Sequence, residues 1–396
     1  MFLCTDKKME NSRFKALVER LSNSTPVPAG VWQSLLALES HAQRAELAQM
    51  ARSVATERFG NAVYVRALIE ISSYCRNNCN YCGLRCGNTL ASRYRLGKEQ
   101  ILACCRKAAL LGFNTFVLQG GEDPLQSDEW LAEVVSEIRA EFPNKAITLS
   151  VGERSTAGYE LLRRAGADRY LLRHETADEN HYLFLHPHAM SRANRLRCLA
   201  DLRNLGYQVG TGMMIGSPGQ VVEHLVADLM LLDELQPQMI GIGPFVPASG
   251  TPFEHEPVGG AELTLYLISL LRLRFPHALI PATTALATLL PDGTERGILA
   301  GANVVMPNFT PIEVRKDYSI YDNKKCNGSE SAEQLDLLAE RLEKIGYCID
   351  YSRGDYDAMG KVKSERLKVK GENWVVDNKY NYVQSEIDNR NRVYER

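Results

Sequence analysis

The feature that most constrains this chain is a repeat that begins near Ala62, in which short apolar runs alternate with amphipathic segments of helix length. The runs are Val63–Ile71, Thr115–Gln119, Ala146–Ser150, Asp168–Leu172, Gln208–Met214, Met239–Ile242, Leu279–Ala282 and Val304–Met306. Between them, Lys98–Leu111, Asp128–Phe142, Asn194–Leu205, Val221–Leu235 and Ala261–Phe275 carry apolar residues at helical intervals. Strands alternating with helices predict parallel pairing through crossover connections, and no two runs are joined by a hairpin turn. Eight such units over roughly 250 residues match an α/β fold of the (β/α)8 TIM type. An open parallel sheet is the other architecture the pattern allows.

Around this barrel, placed at residues 61–310, the flanks read differently. Residues 1–60 predict a helical lead-in, with Phe14–Leu21 and Gln43–Phe59 helical and Pro26 and Pro28 between them, covering one end of the barrel. Residues 311–353 predict a C-terminal extension whose helix, Ser331–Ile345, packs on the exterior or bottom of the barrel. From residue 354 to 396 Lys, Arg, Asp, Asn and Glu dominate, the composition of a poorly ordered tail.

A barrel holds its chemistry at the C-terminal ends of its strands, so unusual polar residues are expected where the runs end. The first run leads into Cys75-x3-Cys79-x2-Cys82, and the second into Gln119-Gly120-Gly121-Glu122-Asp123. The third ends in Thr148-Leu149-Ser150-Val151-Gly152-Glu153, the fourth in Arg173-His174-Glu175-Thr176, the fifth in Met213-Met214-Ile215-Gly216, and the sixth in Gly241-Ile242-Gly243-Pro244-Phe245. The seventh ends in Thr283-Thr284 and the eighth in Met306-Pro307-Asn308. Facing one mouth, these ends make one large site.

Three cysteines this close converge on a soft metal centre, either an iron–sulfur cluster or zinc. Cys86 offers a fourth ligand for structural zinc, which would make the chain a non-catalytic scaffold. Three ligands on a four-iron cluster instead leave one iron for a group bearing an amine and a carboxylate, as S-adenosylmethionine (SAM) does. On the fourth run Arg169, Arg173 and Glu175 fall at even offsets and so share a face. If that face is inward, two buried guanidiniums call for an anionic partner; if outward, they pair with helix acids.

A formal net charge of −2 excludes the electrostatic footprint of a nucleic-acid binder, and no run is long enough to span a membrane. Met1–Glu10 is no secretory signal, which points to the cytoplasm. Ten cysteines in a reducing compartment favour metal or redox use of some, while Cys104-Cys105 reads as buried helix core.

Cys75-x3-Cys79-x-Tyr81-Cys82 with Gly120-Gly121-Glu122 resembles the radical SAM signature. Added to Asn80–Arg85, Gln119–Pro124, Asp168–Ala177, Gly241–Phe245, Pro281–Ala285 and Met306–Pro311, it resembles the HydE family of iron–iron hydrogenase maturases, relatives of biotin synthase and methylornithine synthase. The resemblance spans about residues 60 to 350. It implies a 4Fe–4S cluster on Cys75, Cys79 and Cys82, with SAM on the fourth iron. Tyr81 would then meet the adenine, the Gly120-Gly121 backbone the methionine amine, Glu175 the ribose or amine region, and Arg195 the carboxylate. Gln119, Glu122, Thr148, Ser150 and Ile242 join the implied SAM contacts. Arg169, Arg173, Thr283, Thr284, Met306 and Tyr318 form the implied substrate contacts.

The family further implies a 5′-deoxyadenosyl radical acting at sulfur on an organometallic iron–cysteine carbonyl/cyanide precursor during dithiolate-bridge assembly. Its partners would be a one-electron donor of flavodoxin or ferredoxin type and the other hydrogenase maturases. Some members carry a second cluster near the end of the barrel domain; here that region offers only Cys326, with Cys348 well beyond, so none is expected. A methylornithine synthase- or biotin synthase-like activity is the neighbouring alternative.

Overall fold

A computed structural model describes residues 2–38, 40–325, 331–357, 366–370 and 373–377. The first strand runs as Ala62–Val65 and Ala67–Ser72, and Thr115–Gly120, Ala146–Ser150, Arg169–Leu171, Gln208–Thr211 and Met239–Ile240 follow it in order, all parallel. Residues 279–281 and Val304–Val305 complete the ring through parallel bridges Met239↔Leu279 and Pro281↔Val304. The eighth strand returns to the first at Tyr64↔Val304, Val65↔Val305 and Leu68↔Asn308. That closure sets aside the open sheet.

The crossover helices are Lys98–Leu110, Asp128–Glu141, Thr156–Ala165, Arg192–Asn204, Val222–Leu235, Ala261–Arg274 and Gly293–Leu299. Ser127, Ser155 and Ser191 each start one of them by accepting a backbone N–H of the first turn, which satisfies a donor the helix itself cannot. Strand alternation divides the side chains. Val63, Val65, Ile69, Ile71, Phe116, Leu118, Ile147, Leu149 and Tyr170 join the helices in the main core. Tyr64, Met239, Leu279, Val304 and Met306 meet in a smaller cluster inside the barrel.

The lead-in packs along the helical ring, and Phe59 at the end of its helix His41–Phe59 meets the inner apolar cluster. Tyr266 donates to Leu35 O at 2.7 Å, and Val27 N–H to Asp233 at 2.8 Å. The far end is closed by the C-terminal extension. Beyond the helix Leu335–Lys344, Cys348–Asp350 adds a parallel strand beside Ala62–Val65, below the start of the second barrel strand. Residues 351–357 then cross the barrel floor: Arg353 O accepts from Thr115 Oγ1 and Arg169, Gly354 O from Arg66, and Gln208 Oε1 from Tyr356 N. Arg366–Lys370 and Asn373–Asp377 form an antiparallel pair in the charged tail, whose other residues beyond 357, like Cys326, lie outside those described.

Candidate active site

The cysteine loop leaves the first strand at the mouth and is pinned from three sides. Arg76 N–H donates to Glu122 O at 2.9 Å, Asn80 N–H to Leu185 O at 2.9 Å, and Gly83 N–H to Ile320 O at 2.9 Å. Cys75, Cys79 and Cys82 are half-buried. Burial, then the neighbouring Cys82 and Cys75, pushes the Cys79 thiol well above the ordinary range; burial and Cys75 push Cys82 up to about 12. Thiols so close and so desolvated stay protonated on their own, and a bound cationic centre supplies what they need to ionise. Among the described residues no three His, Cys, Asp or Glu side chains are placed to hold a single ion. Thiols that bind three separate irons of a cluster need not converge in that way. Cys86 is exposed.

The second strand ends against this loop. A Cβ at Gly121 would lie 2.4 Å from Tyr74 O and 2.7 Å from Cys75 Cβ, so the close approach of the two elements requires glycine. Tyr81 is oriented by His186. Burial, then the nearby Arg195, lowers the His186 pKa to about 3, so the ring is neutral. Its Nδ1 faces Tyr182 O at 3.0 Å, which only accepts; Nε2 is therefore the acceptor for the Tyr81 hydroxyl at 3.2 Å.

Across the mouth, Glu175 adopts φ 66°, left-handed for a residue with a side chain. Two bonds to the neighbouring segment hold it there, Glu175 N–H to Gly212 O at 3.1 Å and Met214 N–H to Glu175 O at 3.5 Å. Such strain persists only where the surroundings fix it, and it points to function. Arg173 lies 2.8 Å from the Glu175 carboxylate. Arg195, on the helix Arg192–Asn204, donates to Glu153 Oε1 at 2.6 Å and to Arg173 O. Several buried polar atoms here make no hydrogen bond within the protein: Thr148 Oγ1, Arg173 Nε and Thr283 Oγ1. Buried polar groups are rarely left so, and a set of them lining one mouth suits a polar ligand.

The family description "Radical SAM superfamily" matches residues 69–232. The [FeFe] hydrogenase maturase subunit HydE of Thermotoga maritima is 41% identical over 316 residues, 80% of this chain and 90% of that protein. The chain belongs to the radical SAM superfamily. A 3-methylornithine synthase of Methanosarcina acetivorans is 30% identical over 86% of this chain and 95% of its own length. The crystal structure of methylornithine synthase superposes with TM-score 0.74 at 29% identity, covering 84% of this chain and 97% of that one. This radical SAM protein is an enzyme, and the non-catalytic zinc scaffold falls away. The superfamily implies a 4Fe–4S cluster and SAM, which the half-buried thiols and the unpartnered polar atoms fit.

The mouth brings together the three cysteines, Tyr81, Gln119, Gly120, Gly121, Ser150, Arg173, Glu175, Arg195 and Thr283, with Thr284 beginning the helix that Thr283 precedes. Tyr318 accepts from Gln119 Nε2 at 3.3 Å. Met306 sits deeper, with the inner apolar cluster. Three of the expected residues have their side chains engaged elsewhere. Arg169 does face inward, but it begins the strand Arg169–Leu171 whereas Arg173 lies past its end at the mouth. Arg169 is fully buried on the floor, 2.6 Å from Asp355. The Ile242 side chain points into the helix-facing core, since Gly241 is the inward residue beside Leu171. Glu122 is spent on Arg76 at 2.9 Å and on Glu153 N–H at 2.8 Å, so it braces the loops. The sequence reading gives Glu153, at the end of the third run, no role, and leaves out His186 and Glu70. Only Glu70 left a signal, as a lone acid inside an apolar strand run.

Proposed function

We propose that this radical SAM enzyme acts in iron–iron hydrogenase maturation, on a sulfur-containing iron–cysteine carbonyl/cyanide precursor of the bridging dithiolate. The observation that carries the reading is the meeting, at one barrel mouth, of the three-thiol loop with buried polar atoms that make no hydrogen bond within the protein. The 41% identity to the Thermotoga maritima maturase directs it to this substrate class.

Cys75, Cys79 and Cys82 would hold the 4Fe–4S cluster. When bound, cluster and SAM supply one-electron cleavage of SAM to a 5′-deoxyadenosyl radical. The chain's own residues bind and orient. The Gly120-Gly121 backbone would meet the methionyl amine. Glu175 and Arg195 offer opposite charges to ribose, amine and carboxylate, with Gln119, Thr148 and Ser150 as further polar contacts. Tyr81, its hydroxyl fixed on His186, presents its ring to the adenine. Arg173, Thr283, Thr284, Met306 and Tyr318 would line the substrate side, and the closed floor keeps water from entering behind it. A flavodoxin- or ferredoxin-type donor and the other maturases are the expected partners.

Anaerobic reconstitution should yield a brown protein with about four iron and four sulfide per chain. Cys75→Ala should lose most of both, together with SAM cleavage. Incubation with SAM, dithionite and the iron–cysteine precursor should give an adenosyl adduct by mass spectrometry. No adduct would sink the maturase reading while leaving radical SAM chemistry intact. The 30% likeness to 3-methylornithine synthase over most of the chain supports a second reading, which formation of 3-methylornithine would favour.

A further inference from the structure

Glu70 stands in the first strand between Ile69 and Ile71, whose side chains face the helices, so its carboxylate points into the barrel. Its Oε1 lies 2.5 Å from Lys324 Nζ, and its Oε2 accepts from Asn308 Nδ2 at 2.9 Å. The side chains are 0% and 8% exposed for Glu70 and Lys324, so this is a buried ion pair. Its place is the mouth layer: Glu70 pairs in register with Gln119, which lies opposite Ser150. It is across the ring from the strand that leads to Arg173.

The lysine does not come from the barrel. It is carried by a strap, residues 317–325, stitched across the loops of the mouth. Ile320 O accepts from Gly83 beside the cysteine loop, Asp322 accepts the Ser249 N–H at 3.0 Å and its hydroxyl at 2.6 Å, and Lys325 N–H donates to Thr288 Oγ1 at 3.2 Å. Asn323, at φ 56°, supplies the left-handed turn from which Lys324 drops inward. Its ammonium then lies 5.1 Å from the centroid of the Tyr318 ring.

As a latch, a buried ion pair is a poor device. Desolvation of both charges offsets most of their attraction, and an apolar pair of the same volume would hold the strap as well. An ammonium has three donors, and among the described residues one is used on Glu70 while the Tyr318 face shields another side. Resting on the reading that the chamber takes an amino-acid-derived substrate, we propose that Lys324 is a specificity-determining residue. It binds the substrate carboxylate, and Glu70 is its resting counter-ion. Arg173 and Thr283, on other walls, are left for the remainder of the substrate.

The two charges then act in opposite directions on anion affinity, which a latch cannot do. The experiment is calorimetric binding of L-cysteine, and of cysteamine, which lacks the carboxylate, to the cluster-loaded full chain. Lys324→Gln should weaken L-cysteine binding about tenfold or more. Glu70→Gln, which leaves the ammonium without its counter-ion, should strengthen it. Neither should change cysteamine binding, and Lys316→Gln, exposed just before that segment, should change nothing. If both variants shift L-cysteine affinity in the same direction, or wild-type protein shows no saturable L-cysteine binding, the inference is overturned. Adduct formation from the iron–cysteine precursor judges the maturase reading separately, because binding of L-cysteine needs no turnover.

Discussion

At Gly121 one hydrogen in place of a methyl decides whether the end of the second strand can lie against the cysteine loop. The atoms in the way, Tyr74 O and Cys75 Cβ, belong to backbone and to a short side chain, with no flexible end to swing aside. Gly121→Ala should cost about 1–3 kcal/mol of overpacking strain and displace Cys75. Lower iron and sulfide per chain after reconstitution is the expected outcome, and wild-type iron content would refute the packing argument. A glycine pair after a strand was legible in the sequence as a place of close approach. The roles of its neighbours were not. Glu122 looked like a cofactor ligand by adjacency, yet its carboxylate goes to Arg76 and Glu153 N–H. Glu70 was visible as an acid among apolar residues, but its partner lies 254 positions away, beyond the reach of any local pattern.

Between the elements, the fourth strand and the floor segment decide what Arg169 does. Even spacing from Arg173 gave its face correctly, because strand alternation is local geometry. Its height depended on a segment that composition alone marked as the edge of a tail. Asp355, in that segment, accepts from Arg169 at 2.6 Å and Arg353 at 2.8 Å. Burial opposes the charged form of Asp355, but the hydrogen bonds from Arg353 and Arg169 outweigh it and lower the pKa to about 2. A depressed carboxylate pKa means that the stabilisation is fully present above the unfolded value near 4 and is lost as pH falls toward 2. Asp355→Asn should therefore destabilise the protein near neutrality, through the unpaired buried Arg169, and flatten the loss of stability between about pH 4 and pH 2. Chemical denaturation at several pH values measures both, and an unchanged acid limb would count against the pairing. The long helices were legible from periodicity, whereas Glu179–Leu185 and Thr284–Leu289, with 7 and 6 residues, are too short to show one.

For the molecule as a whole, the barrel is a ring of eight strands floored by residues 348–357, which contribute no residue to the cysteine loop. Cys348–Asp350 pairs with Ala62–Val65, and residues 351–357 cover Tyr64, Arg66, Arg169 and the inner cluster of Met239, Leu279 and Val304. Removing everything after Ile345 would strip the first strand of a parallel neighbour, open that apolar cluster to water and leave two buried guanidiniums without their carbonyl and carboxylate partners. Each Å² of apolar surface newly exposed costs about 25 cal/mol, and each uncompensated buried cation adds about 3 kcal/mol or more. Against a net stability of about 5–15 kcal/mol, that sum is enough to unfold the domain. The truncated chain should thus be insoluble or melt far below the full chain in thermal unfolding, although the cysteine loop, the Gly-Gly pair and Glu175 all remain in it. A truncated protein with wild-type thermal stability that still takes up iron would mean the barrel holds itself closed and the floor is an accessory.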